Sequence, residues 1–329
     1  MSTAVPFPSE LPPGYEWLDD EPAFDPASHL ALEWPTSVIT LAELGYTAEE
    51  IAPTATPIAA SSPFRVLSDE GAEILLTTAR RLRAFAARAG DRIENTVRGG
   101  CYRSRWLRAL CLAPEVTEVM SEIYGTAVAP HTMPVHLGHM NFEPTERPEG
   151  PVDKWHHDTI PLDYVMMVSD PTTLPGGRFE YFLGTKAEAS ELAAKGETPP
   201  RDRVVAPDFP GPGYAIALHG NMIVHRGAEL TAPAERITMV NAYVSLDRSR
   251  ADQNRSRDLI AVDDHELLWT EWSRHVAWRA AGRLDRLVNE MPFTADPDAA
   301  VEALQHAIAD VTQAIDDMRT GEVPIHHYE

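Results

Sequence analysis

The chain has 329 residues, 43% of them hydrophobic and 24% charged, enough for one large decorated domain or two small ones around a sizeable core. Fifty acidic against 28 basic residues give a formal charge of −22, a surface that repels phosphate backbones and anionic lipids, so neither nucleic acid nor membrane is an expected partner. Two cysteines exclude a disulfide scaffold and a cysteine-rich zinc site. With no run of about 18 apolar residues and no basic or apolar leader, a reducing cytoplasm is the expected location.

Residues 1–65 are rich in proline and acid and read as an extended arm with one short helix near 40–51. Ser68 is an N-cap ahead of a helix that should stop at Gly90, and a second helix is expected over 114–124, with proline in its first turn and Gly125 beyond its end. The arginines of 79–108 fall at helical spacing and read as a solvated helix face. From about 130 the texture changes to short β-branched and aromatic runs between Pro, Gly and Asp: 134–142, 163–168, 178–183, 203–206, 213–218, 221–225 and 235–245. Such spacing predicts an all-β sandwich or barrel, with one helical insert at 186–195. Helices return at 264–290 and 298–319. Trp269, Trp272 and Trp278 of the first share a face that should pack on the β core. The predicted units are the arm 1–65, a β core with preceding helices at 66–260, and a helical extension at 261–329 packed on that core.

Seven of the 13 histidines lie between 131 and 225. His156 and Asp158 are two residues apart, so near a strand end their side chains share a face while His157 points away. His225, which the apolar run makes the end of a strand, follows Asp158 by 67 residues. That is about six strand-and-turn units, an interval that lets a late strand fold back beside an early one. Two imidazoles and one carboxylate on one face would bind a divalent metal and leave three adjacent positions open, the facial triad of non-haem Fe(II) oxygenases. Arg236 and Thr238, at period 2 on the next strand, face the same interior. A buried guanidinium beside a hydroxyl is a fork for a carboxylate reaching in from the metal.

The segment GPGYAIALHGNMIVHRGAEL followed by ERITMVNAY, with WHHD and PGGRFEYFLGTK (175–186), resembles the iron(II)/2-oxoglutarate-dependent oxygenases, in particular their phytanoyl-CoA dioxygenase-like branch. Thr185-Lys186 stands where that family commonly has Ser-His, and the resemblance spans about 130–246. It implies a mainly β fold with flanking helices, built on a double-stranded β-helix (a jelly roll, cupin-like). It also implies Fe(II) on His156, Asp158 and His225, and 2-oxoglutarate gripped by Arg236 and Thr238, with O2 as co-substrate. Asn141, in phase with Val135, Leu137 and His139, is a further expected co-substrate contact, and Arg103 or Tyr102 a weaker one. Asp158 excludes halogenation, since related halogenases leave that position Gly or Ala. His219 is not expected to be a ligand, His157 is expected to pack or hydrogen-bond, and His326-His327 to be a solvated tail.

The implied activity is oxidation of a small-molecule metabolite, most simply hydroxylation of an unactivated C–H coupled to conversion of 2-oxoglutarate to succinate. Desaturation or ring closure by the same cofactors, a cupin-like metalloenzyme independent of 2-oxoglutarate, and a non-catalytic jelly-roll binding module are the alternatives. The charge disfavours a CoA thioester unless Arg178 or Arg226 lines the mouth, and a zwitterionic or cationic metabolite, for example an amino-acid derivative, is the substrate it suits better. The two arms cover the barrel mouth or form a homodimer contact.

Overall fold

A computed structural model of the protein describes residues 4–89, 92–143, 150–321 and 327–328. The proline-rich arm contributes structure of its own: α1 (Pro26–His29), β1 (Val38–Thr40), α2 (Ala48–Ile51), β2 (Ile58–Ser61) and β3 (Phe64–Arg65). The helix expected near 40–51 shrinks to the single turn α2, which starts where Thr47 and Glu50 close a reciprocal capping box.

Ser68 caps α3 (Asp69–Leu82) by accepting from the Gly71 amide. This helix ends eight residues before Gly90. The chain then turns through Arg83–Phe85 into β4 (Ala87–Ala89), antiparallel to β5 (Ile93–Val97) at a sheet edge. Pairing at that edge overrides the helical propensity of the arginine- and alanine-rich segment. A helix not foreseen, α4 (Arg105–Cys111), starts where Ser104 accepts from the Leu107 amide, and α5 (Pro114–Tyr124) occupies the predicted bounds.

The β core follows: β6 (Val128–Pro130), β7 (His139–Phe142), β8 (Asp153–His156), β9 (Leu162–Met167), β10 (Phe179–Phe182), the helical insert α6 (Lys186–Ala194), β11 (Val204–Val205), β12 (Tyr214–Leu218), β13 (His225–Gly227) and β14 (Ile237–Ser245). Two expected strands change. Pro134–His136 is a 3₁₀ turn ahead of β7. Residues 221–224 form a turn, because the Met222 and Ile223 amides bond back to the His219 carbonyl. His225 therefore opens a strand instead of closing one.

From β7 onward the strands alternate between two antiparallel sheets, apart from β11, which pairs with β10 in the same sheet. One runs β12-β9-β14-β7 and the other β11-β10-β13-β8; β1 and β2 extend the first beyond β12, and β5 and β4 extend it beyond β7. This alternation is the topology of a double-stranded β-helix. Side chains on the large sheet alternate accordingly. Tyr164, Met166, Ala215, Ala217, Ile237 and Met239 pack outward on α3, α4, α5 and the C-terminal helices, while Val165, Met167, Ile216 and Leu218 pack inward between the sheets. Flanking helices thus seal one face of the large sheet and leave the other to form the interior of the sandwich.

The C-terminal helices α7 (His265–Glu290) and α8 (Pro297–Thr320) form a hairpin. Trp272 is buried in the core and Trp269 packs against it. Trp278 lies instead beside His275 and Arg248, because +6 has already rotated off the shared face. No helix among the described residues is long and apolar enough to cross a membrane.

Glu271 ties α7 to the segment that leads into β7. Its carboxylate accepts from the Tyr102 hydroxyl (2.7 Å) and the Val135 amide (2.8 Å), and burial pushes its pKa up to about 7. An acid whose folded pKa is raised binds its proton more tightly when folded. The stabilisation is full below the unfolded value near 4.5 and is lost as pH rises through about 7. Glu271→Gln should therefore match wild type in melting temperature near pH 5 and exceed it increasingly by pH 8, a gap of order 3 kcal/mol. Parallel melting profiles for the two proteins across that window would defeat this prediction.

Candidate metal centre

The small sheet brings two distant imidazoles together. His156 ends β8 and His225 opens β13, and the two residues are direct cross-strand partners, with ring centroids 4.2 Å apart. Asp158 follows two residues after His156, its amide bonded to the Gly220 carbonyl (2.8 Å). Its carboxylate meets both rings: Oδ1 is 3.4 Å from His156 Nε2 and Oδ2 is 3.5 Å from His225 Nε2. One donor atom from each of the three side chains lies within 4.8 Å of the others.

The far side of each ring fixes its tautomer. His156 Nδ1 donates to the Lys154 carbonyl (2.7 Å) and His225 Nδ1 to the Ile223 carbonyl (3.2 Å). A carbonyl only accepts, so Nδ1 carries a proton in both rings, and Nε2 is the atom that each ring turns toward the carboxylate. Burial, with His156 beside it, lowers the His225 pKa to about 4. Burial alone would raise the Asp158 carboxyl, but the two imidazoles hold it well below the usual carboxylate range. Two neutral imidazoles and one anionic oxygen are the donor set that suits a divalent iron with open positions.

Gly220 makes room for this arrangement. A Cβ there would stand 2.7 Å from Asp158 Oδ2 and 2.4 Å from Oδ2 of Asp163, a fully buried residue on β9. Burial, reinforced by the Asp158 charge, pushes the Asp163 carboxyl well above its ordinary value, so Asp158 is the anion at this point. Gly220→Ala should displace the Asp158 carboxylate and weaken Fe(II) or Zn(II) binding by roughly 10–100-fold, the range seen when groups supporting a ligand are lost. Calorimetric metal titration beside an unchanged circular-dichroism spectrum checks it; unaltered affinity would show that the carboxylate tolerates the methyl group.

Arg236 and Thr238 line the same cavity of about 90 Å³, together with the triad, Asn141, Val165 and Phe179. Arg236 is 3% exposed, and its Nε donates to the Gly177 carbonyl. Gly177 sits at φ +64, where a Cβ would strike Leu230; this is the place in the fold of the PGGRFEYFLGTK segment. Among the described residues no carboxylate lies within ion-pair distance of Arg236, and burial lowers its pKa to about 10. Asn141 pairs with Thr238 across β7 and β14, lines the cavity and accepts from Thr96 Oγ1 (2.9 Å). Its expected companions Val135 and Leu137 lie in the outer core instead, because the 3₁₀ turn breaks the alternation before His139.

No family model matches the chain, and no curated protein does. Among solved structures it is similar to the non-heme alpha ketoglutarate dependent epimerase SnoN from nogalamycin biosynthesis, with 18% identity over 54% of this chain and 74% of that one (TM-score 0.40). It is similar to EctD from S. alaskensis, in a structure with 2-oxoglutarate and 5-hydroxyectoine, at 18% identity over 73% and 86% (TM-score 0.40). The non-heme alpha ketoglutarate dependent carbocyclase SnoK from nogalamycin biosynthesis gives 16% over 64% and 88% (TM-score 0.44). Likenesses this distant assign nothing to this chain.

Several expected residues lie elsewhere. Tyr102 is engaged by Glu271, and Arg103 stacks on Phe85 and Tyr15; neither lines the cavity. His219 bonds Gln253 (2.9 Å) and the Ile58 carbonyl, apart from the triad. His157 hydrogen-bonds, as expected, through Nε2 to Arg255 and through Nδ1 to the Tyr328 hydroxyl. Tyr328 also donates its backbone N–H to the Trp155 carbonyl (2.7 Å), covering the outer edge of β8, and packs with Trp155, Phe182 and Val224. Of the terminal histidine pair, His326 lies outside the described residues, and His327 is half-buried rather than solvated.

Not all the arginines of 79–108 lie on a solvated helix face. Arg92 and Arg98 line the cavity, with Arg92 paired to Asp153 and Arg98 to Asp263, so this part of 79–108 is neither helical nor solvated. Their partners are distant in sequence, and no local pattern marks them. Arg226 lines the cavity but is held by Glu180 and stacked on Trp155, while Arg178 pairs with Asp208 outside it. His136, also on the wall, was visible in sequence only as part of the histidine concentration.

Proposed function

We propose that this chain is an Fe(II)/2-oxoglutarate-dependent oxygenase of the phytanoyl-CoA dioxygenase-like branch that hydroxylates an unactivated C–H of a small-molecule metabolite. One observation carries the reading. Two imidazole nitrogens and one carboxylate converge on a cavity in which Arg92, Arg98 and Arg226 each have an acidic partner, while Arg236 is buried with no carboxylate within ion-pair distance among the described residues. A buried cation without a partner is costly, and the distal carboxylate of a chelating keto acid would remove that cost. A 2-oxoglutarate-independent metalloenzyme has no use for such a clamp.

His156, Asp158 and His225 would hold the iron; Arg236 and Thr238 would grip the distal carboxylate, and Asn141 would donate its amide N–H to the co-substrate. Bound there, iron with 2-oxoglutarate and O2 supplies the oxidising chemistry, with succinate and CO2 as co-products. The chain contributes orientation and exclusion of water. The triad sits between sheets, Phe179 and Val165 wall it, and the tautomers of both histidines are set before any metal arrives. Arg226 is already paired with Glu180 and Arg178 with Asp208, so neither is free for a polyphosphate and a CoA ester is disfavoured. Buried free thiols at Cys101 and Cys111 suit a reducing cytoplasm.

Anaerobic addition of Fe(II) and 2-oxoglutarate should give a weak visible charge-transfer band, and admission of air should release succinate. Stoichiometric metal without the band, or oxidation of substrate without 2-oxoglutarate, would move the protein to another metalloenzyme class.

A further inference from the structure

The cavity has a second polar wall, on the side of β5 and β7. Arg98 is clamped by Asp263 through Nε (2.9 Å) and one terminal nitrogen (3.1 Å). The same guanidinium reaches Nδ1 of His136 (3.1 Å) and Nδ1 of His139 (3.2 Å). Guanidinium groups only donate, so both Nδ1 atoms accept. Each ring is then neutral with its proton on Nε2, the opposite tautomer from the triad histidines. Burial, with the Arg98 charge adding to it, holds both imidazoles well below their ordinary pKa.

His139 uses its Nε2–H on Thr96 Oγ1 (2.7 Å). For His136 there is no such acceptor: it is 1% exposed, lines the cavity, and its Nε2 has no hydrogen-bond partner among the described residues. The nearest ring, His131, offers no lone pair, since its Nδ1 accepts from the Met133 amide and its Nε2 faces Asn254. Leaving a buried N–H unpaired costs about 1–3 kcal/mol, and apolar side chains (Ile93, Ile160, Leu259 and Val262) make up much of the wall around it.

We propose that the His136 Nε2–H binds a carboxylate or carbonyl oxygen of the primary substrate, and that Arg98, braced by Asp263, is the positioning residue that keeps this hydrogen pointed at the ligand. The substrate is then a molecule with an aliphatic body and one oxygen acceptor, the body lying along Ile160, Leu259 and Val262 while the acceptor meets His136. An amino-acid derivative belongs to this class through its carboxylate. This rests on the oxygenase reading, which makes the cavity a substrate chamber, but the two fail by different signals.

The test is ¹⁵N NMR of histidine-labelled protein loaded with Zn(II) and saturating 2-oxoglutarate, titrated with isovalerate and, separately, isovaleramide. His136 should show the Nε2–H tautomer before titration, and its Nε2–H resonance should move downfield with at least one probe. An Arg98→Met protein should lose the tautomer preference and bind the active probe roughly tenfold more weakly, with Zn(II) affinity retained. His136→Gln, whose amide supplies both an acceptor for Arg98 and an N–H for the ligand, should recover most of the probe affinity that His136→Leu loses. An Nδ1–H tautomer, a His136 response to 2-oxoglutarate alone, or indifference to both probes would overturn the proposal. Failure of Zn(II) to shift the His156 and His225 nitrogens would overturn the oxygenase reading instead, whatever His136 does.

Discussion

Asp158→Ala should bind Fe(II) more than roughly 100-fold more weakly than wild type, because even groups that merely support a ligand carry 10–100-fold. Succinate release should fall to background. The carboxylate is the anion among the three donors, so its removal would take away the local negative charge as well as one ligand. His225→Ala should behave alike. Chelator-competition titration measures the affinity, and a coupled succinate assay the turnover. If Asp158→Ala retained both within a factor of ten, the iron would have to sit elsewhere and the assignment of the triad would be lost.

Arg236→Met should separate co-substrate binding from metal binding. Truncating one partner of a buried charge pair costs about 2–5 kcal/mol, so 2-oxoglutarate affinity should fall by roughly 30-fold or more while Fe(II) affinity stays near wild type. The variant has a second signature, opposite in sign. Burial depresses the Arg236 pKa from its ordinary value to about 10, so the charged form is disfavoured by folding. The resulting penalty is present at every pH below about 10 and fades only as pH climbs past that value. It is of order 3 kcal/mol, offset by about 1 kcal/mol for the Gly177 carbonyl left unpaired. Without co-substrate, Arg236→Met should therefore melt higher than wild type at pH 7. Adding metal and 2-oxoglutarate at 100 times the dissociation constant should stabilise wild type by about 2.7 kcal/mol and the variant by far less. An apo variant that melts lower than wild type would mean that Arg236 already has its partner within the protein.

How much of this was legible in sequence follows from the range of each interaction. Local signals carried their own information: the Ser68 cap, the Pro114 start of α5 and the Asp296-Pro297 entry to α8 all sit where the chain reads them. The H-x-D pair survived because period 2 at a strand end is local too. What failed was decided by tertiary pairing. Gly90 looked like a helix stop, yet β4 and β5 join the sheet edge from within the arginine-rich segment. The apolar run before His225 looked like a strand, yet two amides return to the His219 carbonyl and make it a turn. The sheet partner of His225 is set by register with β8, which hydropathy does not encode. Arg98 met Asp263 across 165 positions, with no spacing rule to announce it. Asn141 was found by an alternation that does not extend back to Val135, so its position on the wall owes more to the β7–β14 pairing than to the pattern that nominated it.

The strand that delivers His156 lies at the rim of the small sheet, with β13 on one side and the backbone of residue 328 on the other. That arrangement has a consequence for biosynthesis. A ribosome-bound chain completes all the strands of the barrel some 80 residues before residue 328 is made, so during that interval β8 stands as an open template for strand addition by another nascent chain. Until Tyr328 docks, the polypeptide exposes its pairing edge at the segment that carries His156.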